Sequence, residues 1–144
     1  MSIAKLKAIE SEKNIPFMDL SALHEPIQSD IEKEISRLVS ASSFVLGPAV
    51  EKFENSFAEY CESEFAIGCN SGTSAVHMAL CALDIGPGDE VITVSHTFVG
   101  TVWGVLYCGA TPVFVDIDAD TMNIDISAIE AKITSKTKAI VPVH

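Results

Sequence analysis

Residues Ile67–Ala75 read IGCNSGTSA: an apolar run stops at small polar residues, and helix-forming residues follow. Gly72 permits a tight or left-handed turn, and the hydroxyl groups of Ser71 and Thr73 are suited to cap a helix. We therefore expect a strand over Phe65–Cys69, an anion-binding turn and then a helix. Phosphate is the expected anion, because the first N–H groups of a helix lack partners. A turn that only caps the helix is the alternative.

The composition excludes several classes of protein. The chain has 144 residues and is 48% hydrophobic, which is enough to bury a core. Lys and Arg total 9 against 20 Asp and Glu, and the formal net charge of -11 would repel a nucleic-acid backbone. The four cysteines have neither the paired spacing of a zinc site nor the density of a secreted scaffold. We expect mostly buried, reduced thiols, no metal and a cytoplasmic location.

A long uncharged stretch, residues 91–115, raises the question of a membrane span, since its length would cross a bilayer. Three glycines, a proline and the sequence Ser95-His96-Thr97 interrupt it, so we expect a buried strand, helix and strand instead. The first ten residues have no following apolar core and do not form a signal peptide. No membrane partner is predicted.

The N-terminal part of the chain has helical periodicity. A first amphipathic helix follows Pro26, and a second runs from about Ala49 to Tyr60. The apolar residues at helical spacing, expected to be buried, are Ile31, Ile35, Leu38, Val39, Val50, Phe53 and Phe57. We therefore assign residues 1–60 to an N-terminal arm and two amphipathic helices, and residues 61–144 to the first β-α-β units of a larger domain.

From residue 64 short apolar strands alternate with helices, which predicts a mostly parallel α/β sheet flanked by helices. Further strands are predicted at residues 91–94, 113–117 and 139–143, with helices at 98–108 and 127–133, the latter capped by Ser127. Ligands of such sheets bind beyond the carboxyl ends of the strands. Polar turns at Ser71, at residues 95–98 and at residues 116–118 follow strands, so we expect all three to converge on one site.

The chain ends at Pro142-Val143-His144, on or just after a predicted buried strand that no helix covers. A stable domain seldom ends in this way, so we expect a truncated chain or a fragment.

Seven short motifs, in order along nearly all of the chain after Asn14, resemble the DegT/DnrJ family of sugar aminotransferases. They are IPFxDL at 15–20, VLGP at 45–48, SGTxA at 71–75, LxALxIGPGDEVI at 80–92, TFxxT at 97–101, GAxPVFVD at 109–116 and TKAIxPVH at 137–144. The resemblance implies a fold-type I enzyme that uses pyridoxal 5'-phosphate (PLP). Its large domain would be aspartate-aminotransferase-like, this chain its N-terminal portion, and the full-length protein a homodimer.

The resemblance also implies cofactor-binding residues. The turn at Gly72, Thr73 and Ser74 would bind the cofactor phosphate through N–H groups and a Thr hydroxyl, and Phe98 would lie flat on the pyridine ring. A phosphate at a helix N-terminus and an aromatic face against a planar ring fit these roles physically. Without the resemblance, Phe98 is better interpreted as a core residue.

Other polar residues receive structural interpretations. His77 lies in an apolar helix and is expected to be packed and hydrogen-bonded. No chemistry is assigned to His96, although it lies beside the predicted site. Asp116 and Asp118 are interpreted as turn residues at the end of a strand.

No catalytic residue is expected in this chain. In the family, the Schiff-base lysine and the acid that pairs with the pyridinium nitrogen lie beyond His144, and both are needed for PLP to act as an electron sink. The lysines Lys132, Lys136 and Lys138 match no Schiff-base motif.

The activity implied is amino transfer, from glutamate, to the keto group of a nucleotide-linked sugar, with the fragment alone inactive. Two alternatives stay open. One is a PLP-dependent sugar dehydratase of the same family, in which His replaces the Schiff-base Lys. The other is a non-catalytic fragment that acts as a binding or dimerisation module.

Overall fold

The structure is a computed structural model that describes residues 17–144; the first 16 residues of the predicted N-terminal arm lie outside them. The chain divides into two compact units, one ending at Ala66 and the other running from Ile67 to His144. The domain boundary predicted between residues 60 and 61 stays a prediction.

The unit that ends at Ala66 is helical. Helix α1 (Leu20–His24) continues through a 3-10 turn (Glu25–Ile27) into α2 (Gln28–Ala41), and α3 spans Pro48–Tyr60. The Asp19 side chain caps α1, Ser42 ends α2 in the left-handed conformation, and Pro48 begins α3 at the position that tolerates proline best. Both predicted amphipathic helices are therefore present.

The apolar faces of these helices are less buried than predicted. Phe53 and Phe57 are 56% and 48% exposed, Ile31, Ile35 and Val39 are also exposed, and Ala58 is the buried side chain of this unit's described residues. The prediction of burial is therefore wrong for Ile31, Ile35, Val39, Phe53 and Phe57, whereas Leu38 and Val50 are half-buried. Helical periodicity identifies the face that will be covered, but burial depends on which surface covers it.

The unit from Ile67 to His144 is an α/β structure. Its strands β1 (Glu90–Val94), β2 (Thr111–Val115) and β3 (Thr137–Ile140) form a parallel sheet in the order β2-β1-β3. Its helices are α4 (Gly72–Ala82), α5 (Gly100–Tyr107) and α6 (Ile126–Ile129), the last followed by a 3-10 turn at Glu130–Lys132. The prediction of a parallel sheet with helical connections is confirmed.

Two local predictions are wrong. Residues 65–69 form no strand, and Phe65 and Ile67 are 74% and 76% exposed. An apolar run becomes a strand only beside a pairing strand, and the described strands pair with one another. The cap of α6 is Asp125 rather than Ser127, because the Asp125 carboxylate accepts hydrogen bonds from the N–H and hydroxyl of Ser127 at 2.9 and 2.6 Å.

The core of this unit forms around the central strand β1. Val91, Ile92 and Val94 are almost fully buried, and the equally buried Thr93 donates its hydroxyl proton to the Val141 carbonyl at 2.8 Å. Helices α4 and α5 pack Leu80 and Val105 against Val91. The uncharged stretch at 91–115 is thus a strand, helix and strand, as predicted, but only β1 is buried along most of its length. In β2 Val115 is buried and Phe114 is exposed, and α5 exposes Leu106 and Tyr107, so the prediction that the whole stretch is buried is wrong. Over residues 17–144 no helix combines the length and apolar character needed to cross a membrane.

Candidate functional site

Helix α4 begins with a neutral cap. Ser71 has an extended backbone, and its Oγ accepts a hydrogen bond from the Ser74 N–H at 3.1 Å. No described residue accepts a hydrogen bond from the N–H groups of Gly72 and Thr73, and the first turn contains no acidic residue. Both N–H groups and the positive end of the helix dipole are therefore available to an anion.

Gly72 does not have the left-handed conformation that the sequence allowed; it is the first residue of α4 and its φ is not positive. A Cβ atom built on Gly72 would meet no atom within 4 Å. Neither backbone strain nor internal packing requires glycine here. The missing side chain instead leaves open space directly beside the free N–H groups.

Helices α4 and α5 lie side by side and run parallel. A Cβ atom on Gly100 would come within 2.5 Å of Thr73 Oγ1, and one on Gly104 within 2.6 Å of Val76 Cγ1. Further along, the Cys108 thiol reaches the His77 carbonyl at 3.8 Å. The two glycines thus permit close packing, which places the N-terminal ends of both helices together and adds their positive dipole ends at one place.

Phe98 lies in the loop between β1 and α5. The helix begins at Gly100, two residues later than predicted, and Phe98 is 72% exposed rather than packed in a core. Its ring and the Trp103 indole form a T-shaped pair with a centroid separation of 6.3 Å and an interplanar angle of 78°. Beside it, the hydroxyl groups of Thr97 and Thr101 are 2.9 Å apart. The ring therefore presents a face to solvent beside the start of α5.

These elements enclose a cleft of about 470 Å³ beyond the carboxyl end of β1. None of its lining residues is charged, although the protein carries a net charge of -11. The lining residues are Ser71, Gly72, Thr73, Val76, Phe98, Gly100 and Thr101. An uncharged cleft with free N–H donors and an aromatic face suits a ligand that joins an anionic group to a planar ring.

Three of the four predicted cofactor-binding residues line this cleft: Gly72, Thr73 and Phe98. Ser74 does not, because its N–H bonds to the Ser71 Oγ and its own hydroxyl donates to Asn70 Oδ1 at 2.7 Å. Ser71 was expected in the polar turn and as a helix cap, but not as a cofactor-binding residue, and Val76, Gly100 and Thr101 were not singled out for the site. Helical spacing could have identified two of them, since Val76 follows Thr73 and Thr101 follows Phe98 by three residues, about one helical turn.

The third polar turn lies apart from this cleft. Asp118 lines a separate hollow formed by residues 118–127, and its carboxylate accepts hydrogen bonds from the N–H groups of Thr121 at 2.8 Å and Asp120 at 3.2 Å. The Thr121 hydrogen bonds hold the pKa of Asp118 below its ordinary value. The prediction that all three polar turns converge on one site is therefore wrong. The interpretation of Asp118 as a turn residue agrees with these hydrogen bonds.

The polar residues to which the sequence assigned no chemistry do not line the cleft. His96 is exposed and does not line it. Lys132, Lys136 and Lys138 are exposed, and the register places Thr137 beside Glu90, at the amino end of the sheet and thus opposite the cleft. No lysine is among the lining residues.

The cysteines are free, but the prediction that most are buried is wrong: Cys61, Cys69 and Cys81 are exposed and Cys108 is half-buried. Burial, and then a hydrogen bond with Cys81, raise the pKa of the Cys108 thiol. Cys81 and Cys108 lie beside His77, which is half-buried and meets the Tyr107 ring edge-on at 5.6 Å. This His-Cys-Cys cluster joins two helices, and for that reason the spacing within either helix did not reveal it.

Comparison with known proteins places this geometry in context. The chain is 46% identical over 131 residues to the pleiotropic regulatory protein of Geobacillus stearothermophilus, covering 91% of this chain and 35% of the relative. It is 43% identical over 130 residues to dTDP-3-amino-3,4,6-trideoxy-alpha-D-glucose transaminase of Streptomyces venezuelae, covering 90% and 34%. The chain thus spans about a third of the length of these curated relatives.

A solved structure has the same fold. NtdA from Bacillus subtilis with bound cofactor PMP superposes with a TM-score of 0.84 at 36% identity, covering 90% of this chain and 30% of that one. This similarity confirms the predicted aminotransferase-type α/β fold. Residues 25–144 match the family described as DegT/DnrJ/EryC1/StrS aminotransferases. The resemblance inferred from the seven motifs is confirmed, and the chain belongs to the DegT/DnrJ/EryC1/StrS aminotransferase family.

Proposed function

We propose that this chain supplies half of the cofactor site of a PLP-dependent aminotransferase, with Gly72, Thr73 and Phe98 in contact with PLP. The observation that carries the proposal is the cleft itself. It joins unpaired N–H groups at a helix N-terminus to an exposed aromatic ring, without a charged residue between them. We retain Ser74 only as a positioning residue, because its N–H holds the Ser71 cap.

The donor set fits a phosphate ester. The Gly72 and Thr73 N–H groups and the Thr73 hydroxyl would bind the phosphate oxygens, and the open space at Gly72 would admit them. Charge complementarity comes from the two parallel helix N-termini, since the lining residues carry no cationic side chain. The protein would thus hold the phosphate through backbone dipoles, which lose no side-chain entropy when the ligand binds.

The remaining lining residues orient a ring. Phe98 would stack on one face of the pyridine, and the edge contact from Trp103 limits rotation of the Phe98 side chain. Val76 would supply an apolar part of the cleft wall. When bound, PLP would supply the electron sink that amino transfer requires.

For the whole protein we propose amino transfer from glutamate to a keto sugar linked to a nucleotide. The support is family membership and a relative whose name specifies a dTDP-sugar transaminase. PMP, present in the solved relative, is the aminated form of PLP, as expected for a cofactor that carries an amino group. We also propose a homodimer that acts in the cytoplasm; the exposed apolar faces of α2 and α3 are suited to a subunit interface.

Titration of the purified protein with PLP tests the cofactor site. Trp103 is the only tryptophan of the chain and contacts Phe98, so its fluorescence reports on the cleft. We expect PLP to quench this emission saturably, inorganic phosphate to compete, and pyridoxal, which lacks the phosphate, to bind at least about tenfold more weakly. N-acetyltryptophanamide corrects for light absorbed by the ligand. Equal quenching by PLP and pyridoxal would contradict the phosphate site.

A separate assay tests the reaction. Full-length protein given PLP, glutamate and a nucleotide-linked keto sugar should release 2-oxoglutarate in proportion to the amino sugar formed. The dehydratase alternative predicts loss of a hydroxyl group from the sugar without formation of an amino sugar. The binding-module alternative predicts neither product, even when PLP binds.

A further inference from the structure

We propose that His77, Cys81 and Cys108 form a binding site for one soft divalent metal ion of the Zn²⁺ class. The inference does not depend on the PLP proposal, because it concerns the opposite end of the helix pair α4 and α5. Imidazole nitrogen and thiolate sulfur are the ligands that Zn²⁺ prefers in proteins.

The local sequence places two of these ligands together. His77 and Cys81 are four residues apart in α4, so their side chains lie on the same face of the helix. Cys108 comes from the end of α5, and the close contact between Gly104 and Val76 brings that end beside α4. A larger residue at position 104 would separate the helices and remove Cys108 from the other two ligands.

The distances agree with a metal site. The donor atoms of the three side chains all lie within 4.8 Å of one another, and the sulfur atoms of Cys81 and Cys108 are 3.6 Å apart. Two thiolates bound to Zn²⁺ at about 2.3 Å with a tetrahedral angle have their sulfur atoms about 3.8 Å apart. An imidazole nitrogen on the same ion would lie about 3.6 Å from each sulfur. The thiols are thus already at ligand spacing, and small side-chain rotations complete the site.

The electrostatic environment also favours a cation. Cys81 is in the last turn of α4 and Cys108 is the C-terminal cap of α5, so the negative ends of two parallel helix dipoles meet at the site. Cys81 is exposed, whereas His77 and Cys108 are half-buried. Solvent therefore reaches one side, where a water molecule or a ligand can occupy the fourth coordination position.

Metal titration of the intact protein, kept reduced with a phosphine, tests the proposal. The matched variants are Cys61→Ser/Cys69→Ser, which keeps the proposed ligands, and Cys81→Ser/Cys108→Ser, which removes them. With Co²⁺ as a spectroscopic probe, the first should bind one equivalent and show thiolate-to-metal charge-transfer absorption. The second should lose that absorption. His77→Gln should weaken binding by at least about tenfold, whereas His96→Gln, at an exposed position outside the cluster, should leave it unchanged.

A measurement on the unaltered protein avoids any effect of substitution on folding. Added Zn²⁺ should slow alkylation of Cys81 and Cys108 at least about tenfold, as mapped by peptide mass spectrometry, and should leave Cys61 and Cys69 reactive. Equal protection of all four thiols, or of none, would overturn the site. So would Co²⁺ absorption that persists in Cys81→Ser/Cys108→Ser and is lost in Cys61→Ser/Cys69→Ser. A Cys81–Cys108 disulfide that forms in air, with no metal uptake after reduction, would overturn it as well.

Discussion

The two ends of the parallel helix pair α4 and α5 have opposite chemistry. At the N-terminal end, free N–H groups, Gly72 and the Phe98 ring form an uncharged cleft suited to an anion. At the C-terminal end, His77, Cys81 and Cys108 gather soft electron-pair donors suited to a cation. Because peptide dipoles align along each helix, two parallel helices concentrate positive potential at one end and negative potential at the other. One packing arrangement can therefore create two unlike sites.

Glycines in and around this pair have different purposes. Gly100 and Gly104 have no room for a side chain, since a Cβ atom would collide with Thr73 and Phe98 or with Val76. Gly72 has room for a side chain, because a Cβ atom there would meet no atom within 4 Å. Gly100 and Gly104 allow the two helices to pack closely. The absence of a side chain at Gly72 would instead affect only a ligand bound beside it. Substitution by alanine separates these purposes, because it adds one methyl group and raises helix propensity by about 1 kcal/mol.

The largest effect is expected for Gly72→Ala on cofactor binding. The added methyl group would occupy the space beside the N–H donors, so PLP should bind roughly 100-fold more weakly, about 2.7 kcal/mol. The free energy of unfolding without PLP should stay within about 0.5 kcal/mol or rise, since nothing contacts the new Cβ. Trp103 quenching and urea denaturation measure the two quantities. A stability loss as large as the binding loss would show that Gly72 is a packing residue.

Gly104→Ala should have the next largest effect, on stability. The new Cβ would lie 2.6 Å from Val76 Cγ1 and 3.2 Å from the His77 backbone nitrogen, and neither atom belongs to a flexible chain end. We expect the free energy of unfolding to fall by about 1–2 kcal/mol, the overpacking cost reduced by the gain in helix propensity. Urea denaturation measures it. Adding Val76→Ala to the Gly104→Ala variant should restore part of the lost free energy of unfolding. If it restores none, the contact with Val76 is not the cause of the loss.

Gly100→Ala should have a smaller effect on stability and a local effect on the cleft. Its Cβ would meet Thr73 Oγ1 at 2.5 Å and the Phe98 ring at 2.7 Å, and both are side-chain groups able to rotate away. We expect the free energy of unfolding to change by less than about 1 kcal/mol. The Trp103 emission spectrum should shift, because the Phe98 ring contacts the Trp103 indole. PLP should bind a few-fold more weakly. An unchanged spectrum together with unchanged PLP binding would contradict this account of Gly100.

The smallest effect concerns pH and the turn outside the cleft. Hydrogen bonds from Thr121 hold the pKa of Asp118 below its ordinary value, so the native state favours the ionised carboxylate. The ionised Asp118 carboxylate therefore stabilises the native state at pH values above its pKa in the unfolded chain. This stabilisation is lost as the pH falls through the lower pKa of the native state. Melting curves between pH 6 and pH 3 should therefore show a slightly smaller acid-induced loss for Asp118→Asn than for the wild type. PLP binding at neutral pH should be the same in both proteins.

The sequence predicted local features well where a single element decides them. Helices α2, α3 and α4 were expected from apolar periodicity and from capping residues such as Ser71. The ends of strands β1 and β2 were expected within two residues, and those of β3 within three. The cleft residues Gly72, Thr73 and Phe98 were nominated from the family resemblance. Only the turn at Gly72 and Thr73 also has a local signal, since a phosphate-binding turn is a local arrangement of backbone groups.

Predictions that depended on a second element were less successful. The segment at 65–69 is as apolar as a strand but forms none, and Phe53 and Phe57 lie on an apolar helix face that stays half exposed. Asp116 and Asp118 follow a strand of the same sheet as the cleft, yet Asp118 turns into its own hydrogen-bonded loop. In each case the outcome depends on which surface lies opposite, and residue order within one segment does not encode that surface.

By itself, the sequence determined the order of the helices and of strands β1, β2 and β3, the parallel sheet, the neutral helix cap at Ser71 and membership of the aminotransferase family. Only the tertiary structure decided that α4 and α5 run parallel in close contact, that Thr101 and Val76 join Gly72 in one cleft, and that Cys108 lies beside His77 and Cys81. The physical reason is that caps, turns and periodicity act over a few residues. Contact between α4 and α5 instead depends on glycines that close-pack two helices separated by a strand.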